Sequence, residues 1–241
     1  MRYEINKKKK EKKMCGNVVA SMIITCKGRM HHLKKTIQNM IGQICDFKYE
    51  IIIVDYGDPG GCFDWCKTIQ FPNIVAIKVL DDTRNFNLAR ARNCGAKLAS
   101  GEILCFVDAD VMPKPYWLFE VIGKAKRNKL VRMGGTRSLG GTCAVPARIY
   151  HLVRGYNEAL CNGWGHEEND FYSRCRHFCR EAGYNLKNIN YINHNEYEGT
   201  KFCKYPKRKD SSMLNKEAAK RTYFLVNPNG YGVCGYEFWK R

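Results

Sequence analysis

The sequence contains no CxxC pair, no internal repeat and no apolar run long enough to cross a membrane. Its thirteen cysteines, an odd number, are scattered from Cys15 to Cys234 without the tight framework of a disulfide scaffold. The closest pairs, Cys62–Cys66 and Cys175–Cys179, are four residues apart, a spacing that reads as buried thiols on helices rather than zinc ligands. Free thiols in this number point to a reducing compartment, so a cytoplasmic location is expected. A lysine-rich start (Lys7–Lys10, Lys12, Lys13) precedes the apolar run Val18–Ile24. Cys26-Lys27-Gly28-Arg29 comes next in place of a small-residue cleavage site, so the run reads as a first β-strand and residues 1–14 as a disordered basic arm.

Acidic residues are also scarce: 23 Asp+Glu against 41 Lys+Arg leave a net charge of +18 over 241 residues. The excess is uneven, with +5 in residues 1–13, +7 in 201–241 and only +6 in the 187 residues between. A fold built to bind nucleic acid carries its charge on the folded part. Here the ends hold most of it. A hydrophobic content of 44% and aromatics at 12% exclude a mainly disordered basic protein. Tyr205-Pro206-Lys207-Arg208-Lys209 and Tyr236–Arg241 mix aromatics with cations, which suits either a solvated tail or peripheral contact with an anionic membrane.

From Val18 onward, strand-like and helix-like segments alternate. Strands are expected at Val18–Thr25, Glu50–Val54, Ile74–Leu80 and Ile103–Val107, and helices at His31–Ile44, Gly61–Ile69 and Asn87–Ala99. Strands joined by crossover helices form a parallel sheet covered on both faces, with ligands at the carboxyl ends of the strands. Past Pro115 the pattern loosens to a helix at Tyr116–Asn128, the glycine pairs Gly134-Gly135 and Gly140-Gly141, a helix after Asn169 and a short strand at Asn188–Ile192. The expected class is α/β, with a second half that closes over the site.

Two acidic groups carry the chemistry. Asp108-Ala109-Asp110 directly follows a buried strand, where paired carboxylates are costly unless a cation such as Mg²⁺ or Mn²⁺ is bound beside them. Gly163-Trp164-Gly165-His166-Glu167-Glu168-Asn169-Asp170 sets three acids at the start of a helix. Helix capping explains one or two of them, but not the Gly-Trp-Gly approach, which lets an indole lie flat against a sugar ring. His194, after the last short strand, is a candidate further metal ligand.

Taken in order, Ile24–Arg29, Ile53–Gly57, Phe86–Ala96, Phe106–Asp110 and Gly163–Asp170 resemble the family 2 glycosyltransferases of GT-A fold. The last segment is similar to the acceptor-side motif of β-1,4-galactosyltransferases and chondroitin-polymerase-type enzymes. The resemblance covers residues 18 to about 195. It implies a Rossmann-like, mostly parallel sheet flanked by helices with a smaller acceptor-side region. That domain would occupy residues 15–200, with 201–241 a basic C-terminal tail or extension. It implies a UDP-sugar donor bound by Thr25, Arg29, Asp55, Asn87, Arg90 and Asp108, and acceptor contacts from Trp164 and Glu167. Glu168 becomes the catalytic base, with Asp170 the alternative, and Asp110 and His194 hold Mn²⁺ or Mg²⁺. Arg90 and Arg92 lie about 200° apart on a helix, so only one can enter the pocket, and Arg90 is favoured.

The activity so implied is metal-dependent, inverting transfer of a hexose or N-acetylhexosamine to a hydroxyl of a saccharide or lipid-linked glycan, as in polysaccharide biosynthesis. A sugar nucleotidyltransferase is the rival enzyme reading, prompted by Gly135-Thr136-Arg137; its glycine-rich loop should follow the first strand, and this one comes about 110 residues later. A basic nucleic-acid-binding protein is the rival from another class.

Overall fold

The computed structural model describes residues 17–81, 83–132, 139–161, 163–223 and 225–241. The basic arm 1–14, the pair Gly134-Gly135 and the segment Gly135-Thr136-Arg137 lie outside the described residues.

The first half shows the expected alternation: β1 (Ala20–Cys26), α1 (Met30–Ile41), β2 (Tyr49–Asp55), α2 (Cys62–Cys66), β3 (Ile74–Val79), α3 (Leu88–Leu98) and β4 (Ile103–Phe106). β5 (Val111–Pro113), α4 (Trp117–Ala125), β6 (Lys129–Arg132), β7 (Cys143–Pro146), α5 (Ala147–Leu152), α6 (Glu167–Cys175), β8 (Arg180–Ala182), β9 (Ile189–Tyr191), α7 (Glu196–Thr200), α8 (Arg208–Thr222) and β10 (Tyr236–Lys240) complete the chain. Eight strands form one sheet in the order β10-β3-β2-β1-β4-β7-β6-β8, while β5 and β9 pair separately. β3, β2, β1 and β4 run parallel; β10 and β7 pair antiparallel with β3 and β4.

β1 and β2 are buried at every residue because helices cover both faces, and alternate side chains feed two cores. Met22, Ile24, Ile51 and Ile53 pack with Leu33, Ile37 and Met40 of α1 and with Leu118 and Val121 of α4. Ile23, Ile52 and Val54 face Ala89 and Ala91 of α3, Tyr150 of α5 and Phe171 of α6. Even buried Glu50 is satisfied, accepting from Ser21 Oγ at 2.6 Å and from Ser100 N at 2.7 Å.

Two expectations change. The segment 201–241, read as a tail or extension, is built into the domain. β10 extends the sheet along β3 with Phe238 opposite Ile77, and α8 packs against the Gly163–Gly165 loop. Charge alone suggested a tail, but the lysines and arginines of α8 sit on an amphipathic helix whose Ser211, Asn215 and Ala219 are buried. The second change is at α6, which starts at Glu167 rather than after Asn169, so Glu167 and Glu168 occupy its first turn. No helix of the described residues is long and apolar enough to cross a membrane.

Candidate active site

The carboxyl ends of β1, β2 and β4 lie on one edge of the sheet, as parallel pairing requires, and the expected site residues gather above it. On the loop after β4, Asp108 meets Arg92 of α3, whose Nη2 donates to Asp108 Oδ1 at 2.9 Å. The same guanidinium donates through Nη1 to Glu168 Oε1 at 3.1 Å. Arg92, only 2% exposed, therefore joins the strand-end acid to the acid of the α6 first turn. Burial pushes the Asp108 carboxyl up and the Arg92 charge pulls it down, with the net shift upward. A side chain at Gly141 would collide with both partners, so only glycine leaves room for the pair.

The two arginines of α3 take different partners. Arg90 turns away from the acids, pairing with Asp81 and donating to Val233 O at 2.9 Å beside β10. Arg92 neighbours Ala91 and sits one turn before Gly95, on the buried side of α3, and that register was the available signal.

Asp110 and His194 come together as expected: His194 Nε2 lies 3.0 Å from Asp110 Oδ2. Asp110 raises the histidine's pKa, and Arg29 Nη1 stands 3.5 Å from the same oxygen. Cis ligands of an octahedral ion at about 2.1 Å stand about 3 Å apart, so this separation suits a divalent cation. His194 Nδ1 lies 3.1 Å from Asn195 O and 3.3 Å from Arg29 Nη2, so Nε2 ligates only in the tautomer that turns the Nδ1 proton to Asn195 O and displaces Arg29. Carboxylate oxygen plus imidazole nitrogen is a donor set that fits Mn²⁺. A second convergence, of His31 and His32 Nε2 on Glu198 Oε1 at 2.8 and 3.3 Å, ties α1 to α7. There Arg29 Nη1 approaches His32 Nδ1 at 3.3 Å, which makes Nδ1 the acceptor and leaves the proton on Nε2. The ligand atoms of His31, His32 and Glu198 lie within 4.8 Å of one another, a second set of donors that could hold a metal ion.

The remaining residues expected on the donor side stand at the ends of β1 and β2 and at the start of α3. Asp55 is buried, and both its oxygens accept backbone amides, from Asp58 at 2.7 Å and Phe63 at 2.9 Å, so it braces the loop after β2. Burial raises its pKa against those two bonds. Thr25 is buried within β1, and Asn87 caps α3 by accepting from Arg90 N at 3.0 Å. Lys27, which sequence reasoning passed over, is also buried; its Nζ donates to Gly57 O at 3.2 Å and Thr83 O at 2.5 Å, tying the loops after β2 and β3 to the end of β1.

Of the residues expected on the acceptor side, Glu167 is 1% exposed and neither carboxyl oxygen has a hydrogen-bond partner. Burial, reinforced by the Glu168 charge, pushes it up to about 8. Asp170 does not join Glu168. It accepts from Arg174 Nη2 at 2.6 Å and Nε at 3.0 Å, an ion pair buried against Val153 and Gly155. The Arg208 guanidinium of α8 lies over the Trp164 ring. Gly163 and Gly165 adopt φ of +145° and +109°, and a Cβ at Gly163 would stand 2.7 Å from Ser211 Cβ. Ser211 Oγ donates to Trp164 O at 2.9 Å, and Asn215 Nδ2 to Gly165 O at 2.8 Å. These buried polar residues of α8 clamp the loop; charge masked them in the sequence.

Comparison with known proteins matches residues 21–183 to the family described as Glycosyl transferase family 2. The chain is 27% identical over 123 residues to hyaluronan synthase of Pasteurella multocida, covering 48% of this chain and 12% of that protein. It is 26% identical over 121 residues to dolichol-phosphate mannosyltransferase of Pyrococcus furiosus, covering 50% and 34%. The curated relatives it matches are thus longer, and the chain spans between 12% and 42% of their length. In fold it is similar to S. aureus TarS 1-349 in complex with UDP, with a TM-score of 0.60, 14% identity, and 88% of this chain and 74% of that chain covered.

Proposed function

Because the chain belongs to glycosyl transferase family 2, we propose that it transfers a hexose or N-acetylhexosamine from a UDP-sugar to a hydroxyl of a saccharide or lipid-linked glycan, with inversion. The observation that carries this reading is Arg92 holding Asp108 on the donor side and Glu168 on the acceptor side through one buried guanidinium. A base and the sugar-nucleotide pocket thereby share one fixed frame. The UDP in the structure of the similar TarS supports a UDP-linked donor.

In this mechanism Glu168 takes the proton of the acceptor hydroxyl as its oxygen attacks the anomeric carbon. The bond from that carbon to the β-phosphate oxygen breaks, and UDP leaves on the opposite face. Asp110 and His194 would hold the divalent cation, which when bound neutralises charge developing on the leaving phosphates. Arg29, 3.5 Å from Asp110, adds a fixed positive charge at the same place. The loops joined by Asp55 and Lys27 frame the base pocket, bordered by Thr25 and the capped start of α3 at Asn87. Glu167, protonated at neutral pH, offers an O–H to an acceptor hydroxyl; two buried oxygens without partners are the kind of group a bound hydroxyl satisfies. Trp164, under Arg208, borders the same subsite, as in the galactosyltransferase and chondroitin-polymerase type of motif.

The test is Glu168→Gln with a panel of UDP-sugars and Mn²⁺. Transfer is expected to fall by about a hundredfold or more while UDP still raises the melting temperature. Near wild-type transfer would sink the assignment.

A further inference from the structure

The start of α1 and the short helix α7 meet through three side chains that the transfer chemistry does not use. His31 and His32 are neighbours on the first turn of α1, their ring centroids 4.2 Å apart. The Nε2 atoms of both approach one oxygen, Glu198 Oε1, at 2.8 Å and 3.3 Å. Glu198 comes from 167 residues after His31, and its turn is fixed by Asn195, whose Oδ1 accepts Glu198 N at 2.8 Å. Folding thus brings two imidazoles and a carboxylate to one point, with one ligand atom of each within 4.8 Å of the others.

Ligands of a tetrahedral zinc, at bonds of about 2.0–2.1 Å, stand about 3.3 Å apart, close to the two distances from Oε1. The remaining edge closes by rotation of His31, whose side chain is 54% exposed and has room to turn. His32 is buried, which holds its ring in place. The set differs in chemistry from the Asp110–His194 pair. Two nitrogens and one oxygen favour Zn²⁺ over Mn²⁺ and suit Mg²⁺ poorly, since Mg²⁺ keeps to oxygen ligands. His194 stands apart from the trio: its ring centroid lies 6.0 Å from that of His32, and its Nε2 turns to Asp110.

We propose that His31, His32 and Glu198 form a zinc site, separate from the Asp110–His194 pair, that pins α7 to α1. Three protein ligands leave the fourth position to water. The effect reaches the candidate active site through the chain, because His194 directly precedes Asn195, the N-cap of α7. Zinc at Glu198 therefore steadies the segment that carries that histidine. Binding makes one local demand. Arg29 Nη1 faces His32 Nδ1 at 3.3 Å, and ligation through Nε2 moves the ring proton to Nδ1. The guanidinium then withdraws from that ring, with Asp110 Oδ2, 3.5 Å away, as its partner.

The test takes the full chain, strips it with chelator, returns it to excess Mg²⁺ and titrates it with Zn²⁺ by calorimetry. Melting temperature is read with and without zinc. Mg²⁺ competes at oxygen-rich sites and leaves a histidine-rich one open. Wild type should bind zinc and melt higher in its presence. His31→Asn and Glu198→Gln are the two variants, with circular dichroism as the control for folding. Losing a partner behind a ligand already costs about 10–100-fold in affinity, so losing a ligand should weaken zinc by about a hundredfold or more and remove the shift in each variant. Co²⁺ in place of zinc should give the absorption of a tetrahedral nitrogen and oxygen site, without the thiolate charge-transfer band that any of the thirteen cysteines would add. No zinc-dependent rise in melting, an unchanged affinity in either variant, or a thiolate band in the Co²⁺ spectrum would overturn the proposal and leave the three side chains a hydrogen-bonded contact only.

Discussion

Glu167 and Glu168 are neighbours in sequence with opposite surroundings. Glu168 meets a guanidinium, whereas at Glu167 burial and the neighbouring Glu168 carboxylate outweigh the Arg92 charge and the nearby backbone amides. A carboxyl raised from its ordinary 4.5 to about 8 binds a proton in the folded state that the unfolded chain has already released. Its contribution to stability is therefore fully present below pH 4.5 and is lost as pH rises through 8. Glu167→Gln should flatten the fall in melting temperature over that window and melt roughly 5 °C higher than wild type near pH 9. Melting curves that run parallel from pH 5 to 9 would refute the protonation argument. Both acids, Asp110 and His194 stood out in the sequence as candidates because they sit in short motifs at strand and helix ends. Arg92 was not chosen, since two arginines two residues apart are distinguished only by which side of α3 is buried.

Among the elements, α8 decides how firmly the Gly163–Gly165 loop is held. Its buried Ser211 and Asn215 satisfy three carbonyls, of Gly163, Trp164 and Gly165, in a loop whose positive φ leaves them no regular partner. Replacing Asn215 by Ala strands buried acceptors, at a cost of about 1–3 kcal/mol. Transfer should fall with a raised KM for acceptor, while the UDP-induced thermal shift persists. An unchanged acceptor KM would show that the clamp is dispensable. The first four strands and their helices were readable from periodicity, because a parallel sheet buried on both faces needs continuous apolar runs. β6, β7 and β8 were not. They are three or four residues long and owe their pairing to neighbours rather than to pattern.

For the whole molecule, the structure relocates the basic charge. Residues 201–241 hold +7 and resembled a tail, yet they supply an edge strand and the helix that packs on the Gly163–Gly165 loop. Deleting residues 207–241 should therefore abolish cooperative melting, by exposing the β3 edge and the Gly163–Gly165 loop. A truncated protein that melts as sharply as the full chain would restore the tail reading. Hydrophobic period and motif spacing are local properties, and they were enough to establish the α/β class, the run of parallel strands and the identity of the acids at their ends. Packing settled which arginine joins Asp108 and Glu168, that Asp170 pairs with Arg174, and that the basic C-terminal segment packs on the sheet edge and the Gly163–Gly165 loop. Each of those depends on partners dozens of residues away or on the direction a helix face takes, and neither is written in a neighbouring residue.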